Sequence, residues 1–370
     1  MDSDLDVYAE IEVFPLATRK NLLDLKKLAI EPDRLPESSL APELEEGLDL
    51  LAERIRAARR KEASVMLTYG AHLVKNGAMP LVNRLIHDGW ITHVATQGAG
   101  TIHDWEFAFQ AFSGESVREN APVGRFGSWD ETGKWLNLAV LAGAADGLGL
   151  GASLGRLITG DGVTLPEPQR LADEIRCDPA GRFAGAKADI LYTMRRFGLS
   201  PGRHEVHHPY KAYSIVATAY ECGIPMTVHP GIGYDIIVNH PYYHGGAIGR
   251  ASTTDARMFT MSVDGLEGGG IHMSVGSAIM SPQVFEKAFS AANNVRNQQG
   301  RPLLSDHFLT IVDLQDGGGW DWSHGEPPSS NPAYYLRYCK SFYRMGGTLD
   351  YLQMDNRDFL IGLVRRLCHH

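Results

Sequence analysis

Short apolar runs ending in small residues, each joined to a stretch of helical periodicity, recur along most of this chain and limit its fold more than any other feature. Val65-Met66-Leu67-Thr68 is one such run, with a helix predicted over Pro80–His87. Ile91–Thr96 is the next; it ends in Gly98-Ala99-Gly100 and leads into a helix from about Ile102 to Phe112. Met226–Val228 ends at His229-Pro230-Gly231, and Ile271–Val275 follows Gly268-Gly269-Gly270. His307–Leu314 and Leu349–Met354 complete the set, with helices predicted at Pro282–Gln298, Pro332–Met345 and Arg357–Leu367. Such alternation predicts an α/β fold, a mainly parallel sheet with helices on both faces. Ligands of these sheets lie beyond the carboxyl ends of the strands. The loops after Thr68, Thr96, Val228, Leu314 and Met354 are therefore the candidates.

Residues 1–62 read as an N-terminal extension and a helix packed on a single main domain, 63–370. That helix, Pro42–Lys61, carries Leu48, Leu51, Ile55 and Ala58 on one face, and it starts acidic and ends basic, as the helix dipole favours. Trp135–Gly155 is rich in Ala and Gly, which suits close helix packing, including at a subunit contact. A helix is predicted over Tyr210–Cys222, and residues 231–270 read as long, site-forming loops rich in Gly, His and Tyr. With 44% hydrophobic residues among 370, the chain can bury a large core. The net charge of −9 and the lack of a basic patch argue against nucleic acid as a partner. No apolar run approaches the ~20 residues a membrane helix needs. The four cysteines lack CxxC spacing, which argues against a zinc ribbon or a disulfide framework, and the acidic start is unlike a signal peptide. A cytoplasmic protein is expected.

Gly98-Ala99-Gly100, opening a helix after a strand, could bring backbone amides to a phosphate; a tight turn that seats a helix on a sheet uses the same residues. Fifteen histidines raise a metal-dependent hydrolase as one reading, with His204/His207/His208, His229/Asp235/His240/His244 and His93/His103/Asp104 as clusters. None has HExxH spacing, histidines in Gly/Tyr-rich loops also line polar pockets, and no metal ligand is assigned. Lys340 lies on an apolar stripe with Ala333, Leu336 and Tyr343. Burial there would depress its pKa toward a nucleophilic amine, whereas a surface lysine with its stem along the stripe fits the same spacing.

Taken in order, six segments resemble the deoxyhypusine synthase superfamily: MLTYGAHLVKNG, VATQGAGTIHDWE, MTVHPGIGYDII, GGGIHMSVGSAI, NPAYYLRYCKSF and YLQMDN. The resemblance runs from about Val65 to Leu367 and implies a Rossmann-like, NAD-binding sheet, usually in a homotetramer with sites at subunit interfaces. It implies NAD contacts from Gly70, Ala71, His72, Lys75, Thr96, Gly98, Ala99, Gly100, Gly269, Gly270, Asp355 and Asn356. Lys340, spaced from Pro332 as the synthase lysine is from its proline, would form the imine intermediate of a transferase acting on a polyamine. His229, Asp235 and His103 would be acid–base or amine-orienting groups, with Asp235, Tyr334 and Tyr338 lining the substrate site.

Several positions depart from the synthase pattern. Tyr334 stands where an acidic residue grips the polyamine, Tyr338 replaces a tryptophan, and His72 and His103 replace Asn and Glu. The synthase strand's histidine has only His272 and Ser274 as candidates. A pocket that loses carboxylates and gains aromatics suits a long polycation poorly, so spermidine transfer to a protein lysine is not expected. GAHLVKNG and IHDWE are also similar to patterns of the superfamily's NAD-dependent ornithine cyclodeaminases. The expectation is an NAD-dependent enzyme oxidising an amine carbon to an imine, with a small-molecule amine or amino-acid substrate. A cyclodeaminase-like lyase and a non-catalytic NAD-binding protein are the alternatives, beside the metal-dependent hydrolase.

Overall fold

The computed structural model describes residues 7–8, 10–37 and 39–369; the first six residues of the N-terminal extension lie outside them. Six strands form one parallel sheet: β1 (Val65–Tyr69), β2 (His93–Thr96), β3 (Met226–Val228), β4 (Ile271–Val275), β5 (Phe308–Asp313) and β6 (Thr348–Gln353). Their spatial order is β3-β2-β1-β4-β5-β6. This is the Rossmann-like order, and it reverses direction between β1 and β4. All five residues of β1 and all five of β4 are buried, as expected for central strands covered on both faces.

One face of the sheet packs Met66, Ala95, Leu309 and Ile311 against Phe259, Phe285 and Phe342, which come from helices Gly245–Asp264, Met280–Gln298 and Arg337–Tyr343. The other face meets the larger core, which includes Leu48, Leu51 and Ile55 of helix Pro42–Arg60 and Phe359 of helix Asn356–Cys368. The N-terminal segment is fastened to this body twice. Leu23–Asp24 pairs antiparallel with Phe112–Ser113, and buried Arg19 grips Glu106 with two hydrogen bonds of 2.7 Å.

Half of the region expected as loops over 231–270 is a helix, Gly245–Asp264. Its Gly, Ser and Thr content gives it weak intrinsic propensity. Burial of Ala247, Ile248, Ala251, Asp255, Phe259 and Val263 along one face stabilises it instead. The helix expected over Tyr210–Cys222 is split, because the Ser214 hydroxyl accepts from the Ala217 amide and starts a new helix, Ile215–Glu221, after a tight turn at Lys211–Tyr213. Pro332–Tyr335 is likewise a tight turn, and the helix proper is Arg337–Tyr343.

The Ala/Gly-rich segment forms helices Asp130–Ala145 and Leu150–Thr159, but its small residues are used inside the chain. A Cβ on Gly143 would sit 1.9 Å from the Ser153 hydroxyl, and one on Gly151 would sit 1.9 Å from the Met226 carbonyl. These glycines admit close packing within the chain. Among the described residues no single helix is long and apolar enough to cross a membrane; these two pass such a test only as a pair bent by 115°, and both are largely buried.

Phe259 meets His93, His229 and His272 edge-on, at centroid distances of 5.3, 5.1 and 6.2 Å. Phe259→Ala leaves a cavity beneath three strands and is expected to cost about 3–5 kcal/mol, read as a lower urea midpoint at unchanged slope.

Candidate functional site

At the point where the strand order reverses, β1 and β4 end in Gly70 and Gly276. The Gly70 amide donates to the Val275 carbonyl at 3.0 Å, and a Cβ on Gly70 would lie 2.0 Å from the Gly276 carbonyl oxygen. Gly276 has a φ of +58°, in the left-handed region that glycine adopts without cost. Beside this contact lies a cleft of about 250 Å³ lined by His72, Asn76, Gly276, Val312, Asp313, Leu314, Met354, Asp355 and Asn356. Asp355 caps helix Asn356–Cys368 by accepting from the Arg357 amide, and the Asn76 side-chain amide donates to Asn356 Oδ1 at 2.9 Å. Carboxylates and amides at strand ends suit ribose hydroxyls.

A second cavity, of about 340 Å³, lies toward the carboxyl ends of β2 and β3. Lys75, Ala99, His103, Glu106, Glu115 and Asp235 line it, with apolar walls from Ile102, Phe126, Trp129 and Ile236 and a further wall from Arg19, Leu22 and Leu23 of the N-terminal segment. Lys75 forms no ion pair among the described residues, whereas Glu115 accepts from the Trp129 indole and the Gly127 amide, both at 3.0 Å. Burial raises the Asp235 carboxyl above its ordinary range, opposed by amides of Gly231, Gly98 and Ala99. Burial first, with Lys75 and Arg19 adding, lowers His103 to about 4 against the pull of Glu106. Partial burial and then Lys75 lower His72.

The expected residues therefore divide. His72, Asp355 and Asn356 line the first cleft, Lys75, Ala99, His103 and Asp235 the second cavity, and Gly70 and Ala71 stand between them at the head of helix Ala71–Lys75. Gly98 and Gly100 serve internal contacts instead. Asp235 accepts from the Gly98 amide at 3.4 Å and so already occupies the helix N-terminus expected to hold a phosphate. A Cβ on Gly100 would strike the Thr96 hydroxyl, which donates to the Tyr69 carbonyl at 2.8 Å. Gly269 and Gly270 are misplaced by the sequence reading: they precede β4, at the amino edge opposite both cavities, and the Gly270 amide closes a turn onto Leu266.

Of the four expected catalytic groups, His103 and Asp235 share the second cavity. His229 follows β3 at one edge of the sheet, and the Lys340 helix packs near β6 at the other, through Tyr338 and Tyr351. The same helix also reaches the centre of the sheet, where Phe342 lies 5.5 Å from His272 of β4. Lys340 is buried, so it is no surface lysine, and its Nζ sits 3.3 Å from the centroid of Tyr334. Tyr338 turns its hydroxyl to Tyr351 at 3.4 Å, and burial pushes it well above the usual phenol range. Among the described residues no three His, Cys, Asp or Glu side chains converge as metal ligands. His229 contacts Thr227 at 3.1 Å, while His204 reaches the Ser200 carbonyl and His208 the Trp105 indole.

Sequence reasoning passed over Gly276, Asn76 and Asp313 in the cleft, and Arg19, Glu106, Ser113 and Glu115 around the cavity. Gly276 was within reach: it ends an apolar run just as Gly70 does. Asp313 ends the predicted His307–Leu314 run, Asn76 and Glu106 lie within GAHLVKNG and IHDWE, and Arg19, Ser113 and Glu115 have no strand-end signature.

No protein-family model and no curated protein sequence matches this chain. Among solved structures it is similar to apo ArgZ, an arginine dihydrolase from the ornithine–ammonia cycle in cyanobacteria, with 13% identity over 90% of this chain and a TM-score of 0.43. It is similar to AgrE in a ternary complex with ornithine and NAD+, with 14% identity over 90% of this chain and a TM-score of 0.43. A LOR/SDH-type protein from Methanococcus maripaludis S2 gives 10% identity over 90% of this chain and 69% of its own length, with a TM-score of 0.40. The chain spans 33% and 34% of the lengths of the ArgZ and AgrE chains.

The buried histidines set an acid limit on the fold. Burial lowers His93 and His272 to about 3, and His103, His208, His229, His240 and His307 to about 4. These groups stay neutral when folded but bind protons when unfolded below their ordinary 6.5. Their contribution is therefore complete above pH 6.5 and is lost as pH falls toward 4. Asp104 and Asp255, raised by burial to about 7, act in the opposite sense over pH 4–7, but they are two against seven. Denaturant titrations should show stability falling between pH 6.5 and 4. His272→Leu should flatten that slope by up to about 1.4 kcal/mol per pH unit; an unchanged slope contradicts the assignment.

Proposed function

We propose that this chain binds NAD along the carboxyl edge of its sheet and oxidises the amine-bearing carbon of a small amine or amino acid to an imine. The observation that carries this reading is the bare Gly70–Gly276 junction at the strand-order reversal, beside a cleft of hydroxyl-binding side chains. The Gly70–Lys75 segment, Asn76, Gly276, Asp313, Asp355 and Asn356 would hold the dinucleotide, with Lys75 as the nearest cation for its phosphates. The Gly98 helix start is left out, because Asp235 fills it. When bound, NAD supplies a hydride acceptor, and the protein's part is placement and electrostatics.

The second cavity is the substrate end in this reading. Asp235 and Glu115 are acceptors for an ammonium group, His103 is the acid–base group, and the apolar walls exclude water that would hydrolyse the imine. Glu115 has no cationic partner among the described residues, so the cavity favours a cationic or zwitterionic amine. Lys340 stays outside the chemistry, held on Tyr334. Transfer of an aminoalkyl group through a lysine imine, and with it a polyamine substrate, has correspondingly less support than direct amine oxidation.

Calorimetry should detect NAD binding, and Asp355→Ala should weaken it about tenfold, roughly 1.4 kcal/mol. A panel of amines and amino acids should then yield NADH absorbance. Folded protein that does not bind millimolar NAD refutes the proposal; binding without turnover of any amine favours the non-catalytic alternative.

A further inference from the structure

Three polar side chains run from the second cavity into the protein. His103 Nδ1 lies 2.8 Å from the Ser113 hydroxyl, and Ser113 lies 2.5 Å from Glu106 Oε2. Glu106 is clamped by Arg19 Nη1 and Nη2, each at 2.7 Å, and also accepts from the Thr132 hydroxyl at 2.9 Å. A carboxylate held this way only accepts. The single Ser113 proton is therefore committed to Glu106, and toward His103 the Ser113 oxygen can only accept. That requires a proton on His103 Nδ1. In a neutral imidazole the other nitrogen, Nε2, is then a bare lone pair, and it has no hydrogen-bond partner among the described residues.

We infer that Glu106 and Ser113 are positioning residues that lock His103 in its Nδ1–H tautomer and make Nε2 the catalytic base of the second cavity. The inference rests on the amine-oxidation reading for its substrate, but the tautomer itself does not. A substrate ammonium cannot release hydride from its carbon until it loses a proton. One ammonium N–H bond breaks and an Nε2–H bond forms. The freed lone pair is then available to form the second carbon–nitrogen bond, for which a bound NAD would supply the acceptor of the departing C–H electron pair. The imidazolium so formed donates from Nδ1 to the Ser113 oxygen, which Glu106 holds in place, the orienting role a carboxylate has in a triad. It then returns its extra proton to solvent.

The arrangement explains why a carboxylate and an arginine are spent deep in this wall. Arg19 and Glu106 are both buried, and a buried ion pair is a poor source of stability compared with apolar packing. Ser113 is fully buried and lies in the short strand that pairs with Leu23–Asp24, so the N-terminal segment fixes both the clamp and the hydroxyl.

The test is nitrogen NMR of histidine-labelled protein, followed by kinetics. Wild-type His103 should show a protonated Nδ1 and a bare Nε2 at neutral pH, and Ser113→Ala should convert it to a mixture of tautomers. Ser113→Thr, which keeps the hydroxyl, should restore the wild-type pattern. With an amine substrate, Ser113→Ala should lower kcat by about 100-fold with KM within about twofold, and Ser113→Thr should recover most of the loss. A wild-type spectrum with the proton on Nε2 overturns the inference even if Ser113→Ala does not fold, and so does full kcat in folded Ser113→Ala. Failure to bind NAD would remove the oxidation reading while leaving the tautomer result to stand or fall alone.

Discussion

Everything at the carboxyl edge depends on how closely two backbones approach. Gly70 and Gly276 meet so tightly that no side chain fits between them, and a Cβ on Gly70 would overlap the Gly276 oxygen. This contact fixes the exits of β1 and β4, from which the sheet runs one way to β3 and the other way to β6. The first cleft opens on one side of the contact and the second cavity on the other, with helix Ala71–Lys75 between them. A dinucleotide laid over the junction would meet hydroxyl-binding groups in the cleft and charged groups in the cavity, with no side chain on either glycine to lift it from the sheet.

The second cavity makes its chemistry from borrowed parts. Its base would come from the helix after β2, its amine acceptor from the loop after β3, its unpaired cation from the helix after β1, and one wall from the N-terminal segment. The buried charge is handled in two ways. Glu106 is neutralised directly by Arg19, whereas Asp235 is satisfied by backbone amides and carries no cation. The first anchors structure, and the second leaves negative potential free to act on a ligand.

Much of the sheet was legible in the sequence because it is written in local signals. Each of the six strands lies where an apolar run predicts one, and helix Pro42–Arg60 carries its buried residues at the expected spacing. Helix Gly245–Asp264 was not legible, because glycine, serine and threonine disguise it and only burial against the sheet stabilises it. The site was legible in part. Gly70, His72, Asp355 and Asn356 stand at strand ends, where chain order predicts function. Gly98 misled, since a glycine that would admit a phosphate and one that admits Asp235 are identical in sequence. Lys340 is buried, as its apolar stripe predicts, but nothing local tells that its amine rests on Tyr334. Arg19 and Ser113 carry no signal, and Glu106, which ends the IHDWE segment, takes its meaning from contacts outside that segment.

The neighbours β2 and β3 are joined by an unusually long excursion. β2 ends at Thr96 and β3 begins at Met226, so the whole of 97–225 must be accommodated before the two strands can pair. Contacts of such large sequence separation form late and slow folding, because loop-closure entropy is lost before any pairing is gained. Asp235 lies beyond β3, and His103 lies before most of the excursion. During synthesis, Arg19, Lys75 and His103 therefore leave the ribosome well ahead of the carboxylate they are to face. A growing chain carries the groups of the second cavity long before it can enclose anything with them.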